Sequence, residues 1–288
     1  PDATIECGET EEEAADTDQH DDGERAGGQP GSAVHEREEA VDGALGEISL
    51  LRHQVGSVPR QTGDVTPDPA AIDDAARDHV IVEGPDASTY LHSQVAQDLR
   101  DLAVGDTSWT LVLEPTGKVE NLARVTRVDD ERFDFDTDAG HGEALAARLQ
   151  RFRIRVQADI TVVPAATSEP SPAHEAARVA AGWPRMGFEI VPGETIPAVT
   201  GVVPVAVSFT KGCYPGQELV ERMDSRGADA PRSLRIVDVA APAATGDPVL
   251  DVDGDEVGAI TSVSPSGTLA LALVKRGADV GRLPAHLS

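Results

Sequence analysis

Large apolar side chains are rare before residue 77 and periodic after it. Residues 1–42 hold almost none, so that stretch cannot bury enough surface to offset the entropy of ordering it. Residues 43–58 (GALGEISLLRHQVGSV) carry the spacing of a short amphipathic helix, and residues 59–75 return to Pro, Gly and Asp in turn-like runs. From Arg77 the pattern sharpens. Residues 79–83 (HVIVE) read as a strand closed by Gly84-Pro85. Asp86 then caps DASTYLHSQVAQDL, where Ala87, Tyr90, Leu91, Val95 and Leu99 recur at helical spacing. Residues 107–113 and 119–128 read as strands around the turn Glu114-Pro115-Thr116-Gly117-Lys118, and residues 132–137 as another strand. A helix over 142–152, with Leu145, Leu149 and Phe152 on one side, runs into a strand over 154–163.

Hairpins rather than repeated crossovers predict an α+β fold with antiparallel sheets. Residues 164–205, rich in Pro, Gly and Ala, give no clear period. Residues 218–225 look helical, and from Pro231 short strands alternate with turn signals (SLRIVDV, VLDV, EVGAITSV, TLALALV), which predicts a small C-terminal β-barrel. The expected organisation is an acidic N-terminal segment at 1–76 that stays unfolded, a first domain at 77–230 and a barrel domain at 231–288.

Charge narrows the function classes. The chain carries a formal net charge of −27, and residues 1–42 hold fifteen acids against two bases. A phosphate backbone would be repelled at long range, so bulk nucleic-acid binding is not expected. The simplest account of the acidity is a solvating surface. Aromatic residues make up 3% of the chain, too few for stacking platforms. No apolar run is long enough to span a membrane, and the N-terminus lacks the basic and apolar regions of a secretory signal. Two cysteines, Cys7 and Cys213, make neither a disulfide framework nor a structural zinc site, which points to a reducing, cytoplasmic setting. The charge asymmetry suggests a monomer that meets other proteins transiently.

Several motifs fail. The run Asp251-Val252-Asp253-Gly254-Asp255 lacks the Gly and Glu positions of a calcium loop and reads as a hairpin turn. No phosphate loop, dinucleotide fingerprint, H-E-x-x-H or G-x-S-x-G occurs, and no metal ligand set is apparent. Arg151, Arg153 and Arg155 alternate with Phe152, Ile154 and Val156, which on a strand gives one arginine face. With Arg148, that face is either solvated or a clamp for a carboxylate, a phosphate or RNA.

The most informative stretch is 211–218, KGCYPGQE. It holds the one cysteine after residue 76, between glycines that permit close backbone approach. Pro215 can open a helix whose first turn carries Gln217 and Glu218. Cys213 would then precede a helix N-terminus and follow Lys211 by two residues, and both features favour thiolate. The alternative is a small buried residue at a tight turn. Only three lysines occur, and two of them, Lys118 and Lys211, flank a glycine within the two turns singled out here.

KGCYPGQE resembles the signature K-G-C-[YF]-x-G-Q-E of the YgfZ-type folate-binding proteins, in the superfamily of the glycine-cleavage T-protein (aminomethyltransferase). VEGPDASTYLHSQVAQDL is similar to that family's opening strand and helix, LEPTGKVENLARV to its glycine hairpin, and VGAITSV with LALALVKRG to its C-terminal barrel. The match runs in order over roughly residues 77–277. It implies a T-protein-like α+β region that binds tetrahydrofolate or a derivative in a central groove, with a β-barrel appended. It also implies transient iron–sulfur client proteins, a role in iron–sulfur assembly or repair and a link to tRNA modification. Cys213 and Lys211 become the functional pair. Gly117, Lys118, Gly212, Tyr214, Gly216, Gln217 and Glu218 become folate-binding or motif positions.

Two departures stand out. Aminomethyltransferases carry paired aspartates after the glycine hairpin, where this chain has Asn121 and Leu122. Leucine cannot accept or deliver a proton, so glycine cleavage is not expected. Ile196-Pro197-Ala198 also lacks the acid or amide that relatives show after that proline. The competing expectations are a one-carbon transferase on another substrate, with Glu120 or Glu218 as acid or base, and a non-catalytic interaction protein.

Overall fold

The computed structural model describes residues 76–225, 230–239 and 242–282. The expected acidic segment, and the helix expected at 43–58, lie outside these residues. The described chain builds two antiparallel sheets with six helices, which bears out the α+β expectation.

The first sheet contains β1 (Arg77–Glu83), β2 (Thr107–Leu113), β3 (Val119–Arg127), β4 (Arg132–Asp138) and β5 (Asp159–Val163) in the order β2-β3-β4-β1-β5. Helices α1 (Ala87–Gln94) and α2 (Gly142–Arg151) cover one face. There Val80, Val82, Val112, Val125, Phe133 and Phe135 bury themselves against Leu91, Leu145 and Leu149. The opposite face of the β2–β3 hairpin, with Leu111, Leu113, Val119 and Leu122, packs on Met186, Ile190, Val202, Ala206, Tyr214 and Val220. Covering both faces explains why β2 ends in a continuous buried run rather than an alternation.

Residues 164–205, unassigned from sequence, supply α3 (Pro172–Ala181), α4 (Pro197–Thr200) and all but the last residue of α5 (Val203–Ala206). Ser171 caps α3 through a bond from the His174 N–H, with Pro172 at its first turn and Gly182 in the left-handed conformation at its end. Helix α6 (Gln217–Ser225) follows the signature turn.

The second sheet joins β6 (Arg232–Asp238), β7 (Pro248–Leu250), β8 (Glu256–Val263) and β9 (Leu269–Lys275) in the order β6-β9-β8-β7. Among the described residues no pairing joins β6 to β7, so the strands expected to close a barrel form an open four-stranded sheet. One side buries Val237, Val257, Ile260, Ala272 and Val274, and the other sets Leu234, Ile236 and Leu271 against Val179 of α3. The acidic run at 251–255 is the β7–β8 turn: the Asp251 carboxylate accepts from the N–H groups of Asp253 and Asp255.

A buried carboxylate ties the second sheet to the rest. Glu189 accepts from Ser262 Oγ of β8 at 2.6 Å, from Arg178 Nη1 of α3 at 3.1 Å and from the Arg185 N–H at 2.9 Å. Its side chain is 0% exposed, so these partners replace all of its water.

Four further sequence expectations need correction. The first helix stops at Gln94 rather than continuing to Leu99, because Val95 is extended and the Ala96 N–H bonds to Leu111 O at the edge of β2. Strand β5 starts at Asp159, not Ile154, and Arg155 sits at φ 60° in the loop before it. Arg151, Arg153 and Arg155 therefore share no strand face; Arg151 ends α2, and Arg153 turns back to Ala158 O. The Asp86 carboxylate does not cap α1 but holds that loop through the Gln157 N–H at 2.7 Å.

Candidate functional site

The β2–β3 turn is held by the Glu114 N–H to Lys118 O at 2.9 Å and the Gly117 N–H to Glu114 O at 2.8 Å. Gly117 has φ 88°, a conformation that suits glycine. The signature turn has its own left-handed glycine, Gly216, at φ 84°. These two turns pack backbone to backbone. A Cβ on Gly216 would lie 2.5 Å from Glu114 O and 3.0 Å from the Cα of Gly117. One on Gly117 would lie 2.4 Å from Leu219 Cβ and 3.1 Å from Gly216 O. The structure thus joins the two motifs that the sequence singles out.

Within KGCYPGQE the side chains divide. Lys211 and Tyr214 are buried, whereas Gly212, Cys213 and Glu218 are exposed. Lys211 Nζ donates to His92 O at 2.5 Å, Val95 O at 2.6 Å and Gln97 O at 3.1 Å. It also stands 5.2 Å from the Tyr214 ring centroid, in cation–π range. Burial pushes the Lys211 pKa down to about 8, opposed by Asp98. Burial, then the Lys211 charge, lowers the His92 pKa, and Arg100 holds the Asp98 carboxyl far below the usual range. Tyr214 is pushed up to about 12 by burial and then by Glu221. Gln217 Nε2 donates to Glu221 Oε1 at 2.5 Å, and Glu218 pairs with Arg222 on the exposed face of α6. Cys213 therefore shares a turn with Lys211 but points the other way.

A second group of polar residues surrounds the foot of the glycine hairpin. The pairing register shifts between Val112 and Leu113, leaving Glu120 as the extra residue of β3. Burial, then the neighbouring Glu114 carboxylate, raises the Glu120 pKa, with Arg151 and Arg148 opposing. Arg148, 1% exposed, donates from Nε and Nη2 to Leu113 O at 3.1 and 2.8 Å and stacks 4.4 Å from the Phe152 ring. Arg148 is thus a buried brace for the hairpin rather than part of an arginine face. Asn121 is buried and engaged, donating to His141 O at 3.3 Å and accepting from Thr137 Oγ1 at 2.8 Å. Leu122 is 2% exposed in the core.

Residues 191–195, which sequence reasoning missed, lie along the same hairpin. The Val119 N–H donates to Thr195 O, and the Gly193 N–H to Val119 O, both at 2.8 Å. Their signal is weak: Gly193 within V-P-G-E-T marks a turn but not its partner. Among the described residues no group of three His, Cys, Asp or Glu side chains could hold a metal ion, and no helix is long and apolar enough to cross a membrane.

Comparison with solved structures gives the class of the fold. The chain superposes on the glycine cleavage system aminomethyltransferase T of Bartonella henselae with a TM-score of 0.59. The match has 15% identity and covers 70% of this chain and 77% of that one, so the fold is T-protein-like. Among curated proteins it is similar to an uncharacterized protein of Haemophilus influenzae, 27% identical over an alignment of 237 positions that covers 67% of this chain and 84% of that protein. No protein-family model matches the chain.

Proposed function

We propose that this protein is a YgfZ-like folate-binding accessory factor that supports the assembly or repair of iron–sulfur proteins. The observation carrying this reading is the docking of the Gly117 hairpin on the Gly216 turn within a T-protein-like fold, which joins the two stretches of the folate-binding resemblance. The residues at the hairpin foot suit a reduced folate. The Glu120 carboxyl, whose pKa burial and Glu114 raise, offers hydrogen-bond positions to a pterin ring, and Arg151 offers a guanidinium to a glutamate tail. A bound reduced folate would supply one-carbon chemistry, and the chain's own residues would orient it. The open cavity of about 560 Å³ beside Gln97 is a poor alternative, because Asp98, Asp101 and Asp106 on its wall would repel an anionic ligand.

Buried Leu122 argues against glycine-cleavage chemistry, since no carboxylate occupies that position. One feature favours a second reading, one-carbon transfer to another acceptor: Glu120 keeps its proton to higher pH than an ordinary glutamate. Glu218, exposed and paired with Arg222, is a weaker acid–base candidate.

Cys213 is exposed and remote in orientation from the buried side of its turn, which suits a thiol that meets client proteins. The test is Cys213→Ala in cells lacking the native protein. The reading predicts unchanged protein levels with reduced activity of iron–sulfur enzymes. Full replacement of the wild type by this variant would remove the thiol from the account.

A further inference from the structure

We infer that Lys211 is a positioning residue: its ammonium clips the signature turn onto the C-terminal end of α1 and so fixes Tyr214 inward and Cys213 outward. Its relevance to function rests on the folate-binding reading above.

An ammonium has three donors and no acceptor. Here they go to the carbonyls of His92, Val95 and Gln97, all from the last turn of α1 or the residues just after it. Helix C-termini leave carbonyls without intrahelical partners and carry the negative end of the dipole, so a cation is favoured there. The stretch after α1 is also wedged between two other segments. The Ala96 N–H bonds to Leu111 O of β2, while Ala96 O accepts from the Ser208 N–H at 3.0 Å. Gln97 donates from its backbone to Thr110 Oγ1 and from Nε2 to Val205 O. Lys211 closes the wedge at the signature end.

The charged and titratable neighbours leave the clip intact. Asp98 faces Arg100 and His92, with Asp98 Oδ1 3.5 Å from His92 Nδ1, and none of the three Lys211 acceptors is a carboxylate. Tyr214 presents its ring face. A planar guanidinium could not reach three carbonyls converging on one point, which accounts for a lysine at this place in a chain whose bases are otherwise nearly all arginine. With all three hydrogens committed inward, Lys211 acts on the outer face only by holding the turn that carries Cys213.

The test is hydrogen exchange, read peptide by peptide, on the full chain and on Lys211→Met, which keeps the apolar stem as far as Cε but lacks the ammonium and its donors. Exchange at residues 95–98 and 208–214 should rise at least about tenfold, the equivalent of losing one charge-assisted hydrogen bond. Peptides from β4 and the second sheet should keep wild-type rates. In Lys211→Ala, propylammonium should restore local protection and the wild-type alkylation rate of Cys213, whereas propanol should not. Wild-type exchange in Lys211→Met, even loosening across both sheets, or no ammonium rescue would each overturn the inference. Tetrahydrofolate titration of the wild type separates this from the parent reading. Local loosening in the variants without folate binding by the wild type keeps the clip and removes the ligand.

Discussion

Gly117 and Gly216 lie in separate turns yet meet so closely that neither site has room for a methyl group. Each also has a left-handed φ, 88° and 84°. The contact makes the β2–β3 hairpin and the KGCYPGQE turn one unit, and it places Glu120 and Arg148 at the foot of a hairpin whose tip abuts the start of α6.

Alanine at either glycine should therefore cost more than a surface substitution. Left-handed backbone strain and overpacking against backbone atoms together amount to about 2–4 kcal/mol per site. Because the two sites share one contact, the double variant should lose less than the sum. Urea denaturation of the three variants checks this; a loss below about 0.5 kcal/mol, the scale of ordinary surface changes, would refute the close packing.

The two tyrosines give a pH test. Tyr90 and Tyr214 are both held by burial at pKa values of about 12, against an ordinary 10.0. Raised folded pKa values mean that the folded state keeps its phenol protons longer. The resulting stability is fully present below pH 10 and is lost as pH rises through about 12. Ultraviolet titration should show tyrosinate only near pH 12 in the native protein and near pH 10 in urea. Native titration near 10 would contradict the burial of both rings.

Glu189 provides a test of how the second sheet is attached. Glu189→Ala removes the buried carboxylate that joins Ser262 to Arg178, while Arg178 keeps Glu175 and Trp183 O, and should cost about 2–3 kcal/mol, the upper range for hydrogen bonds to a charged group. Ser262→Ala removes one hydrogen bond and should cost about 1–2 kcal/mol. Chemical denaturation of both variants measures these, and near-wild-type stability of Glu189→Ala would contradict the anchoring role.

Much of the fold was legible because local signals agreed. β2 occupies residues 107–113 as expected, and the two glycine turns stand where their residues implied. The signals failed where tertiary contacts outweighed periodicity. Val95 and Leu99 continue a helical stripe, yet the chain leaves the helix after Gln94 to bond with β2 and Lys211. Arg153 and Arg155 alternate like strand residues, yet they occupy a loop pinned by Asp86 and by Arg153 itself. The candidate site was half visible. Spacing located the signature turn, but not that Lys211 turns inward and Cys213 outward, which depends on carbonyls more than a hundred positions away in the chain. Arg148 on the apolar stripe of α2, beside Leu145 and Leu149, was the clue to a buried brace that charge counting obscured.

Tetrahydrofolate binding, measured by calorimetry under anaerobic, reducing conditions, tests the central claim most directly. The account predicts micromolar binding by the wild type and about tenfold weaker binding by Arg151→Ala, the loss of one charge-assisted contact. No binding heat at millimolar tetrahydrofolate would contradict the account and leave a T-protein-like fold that serves another ligand or none.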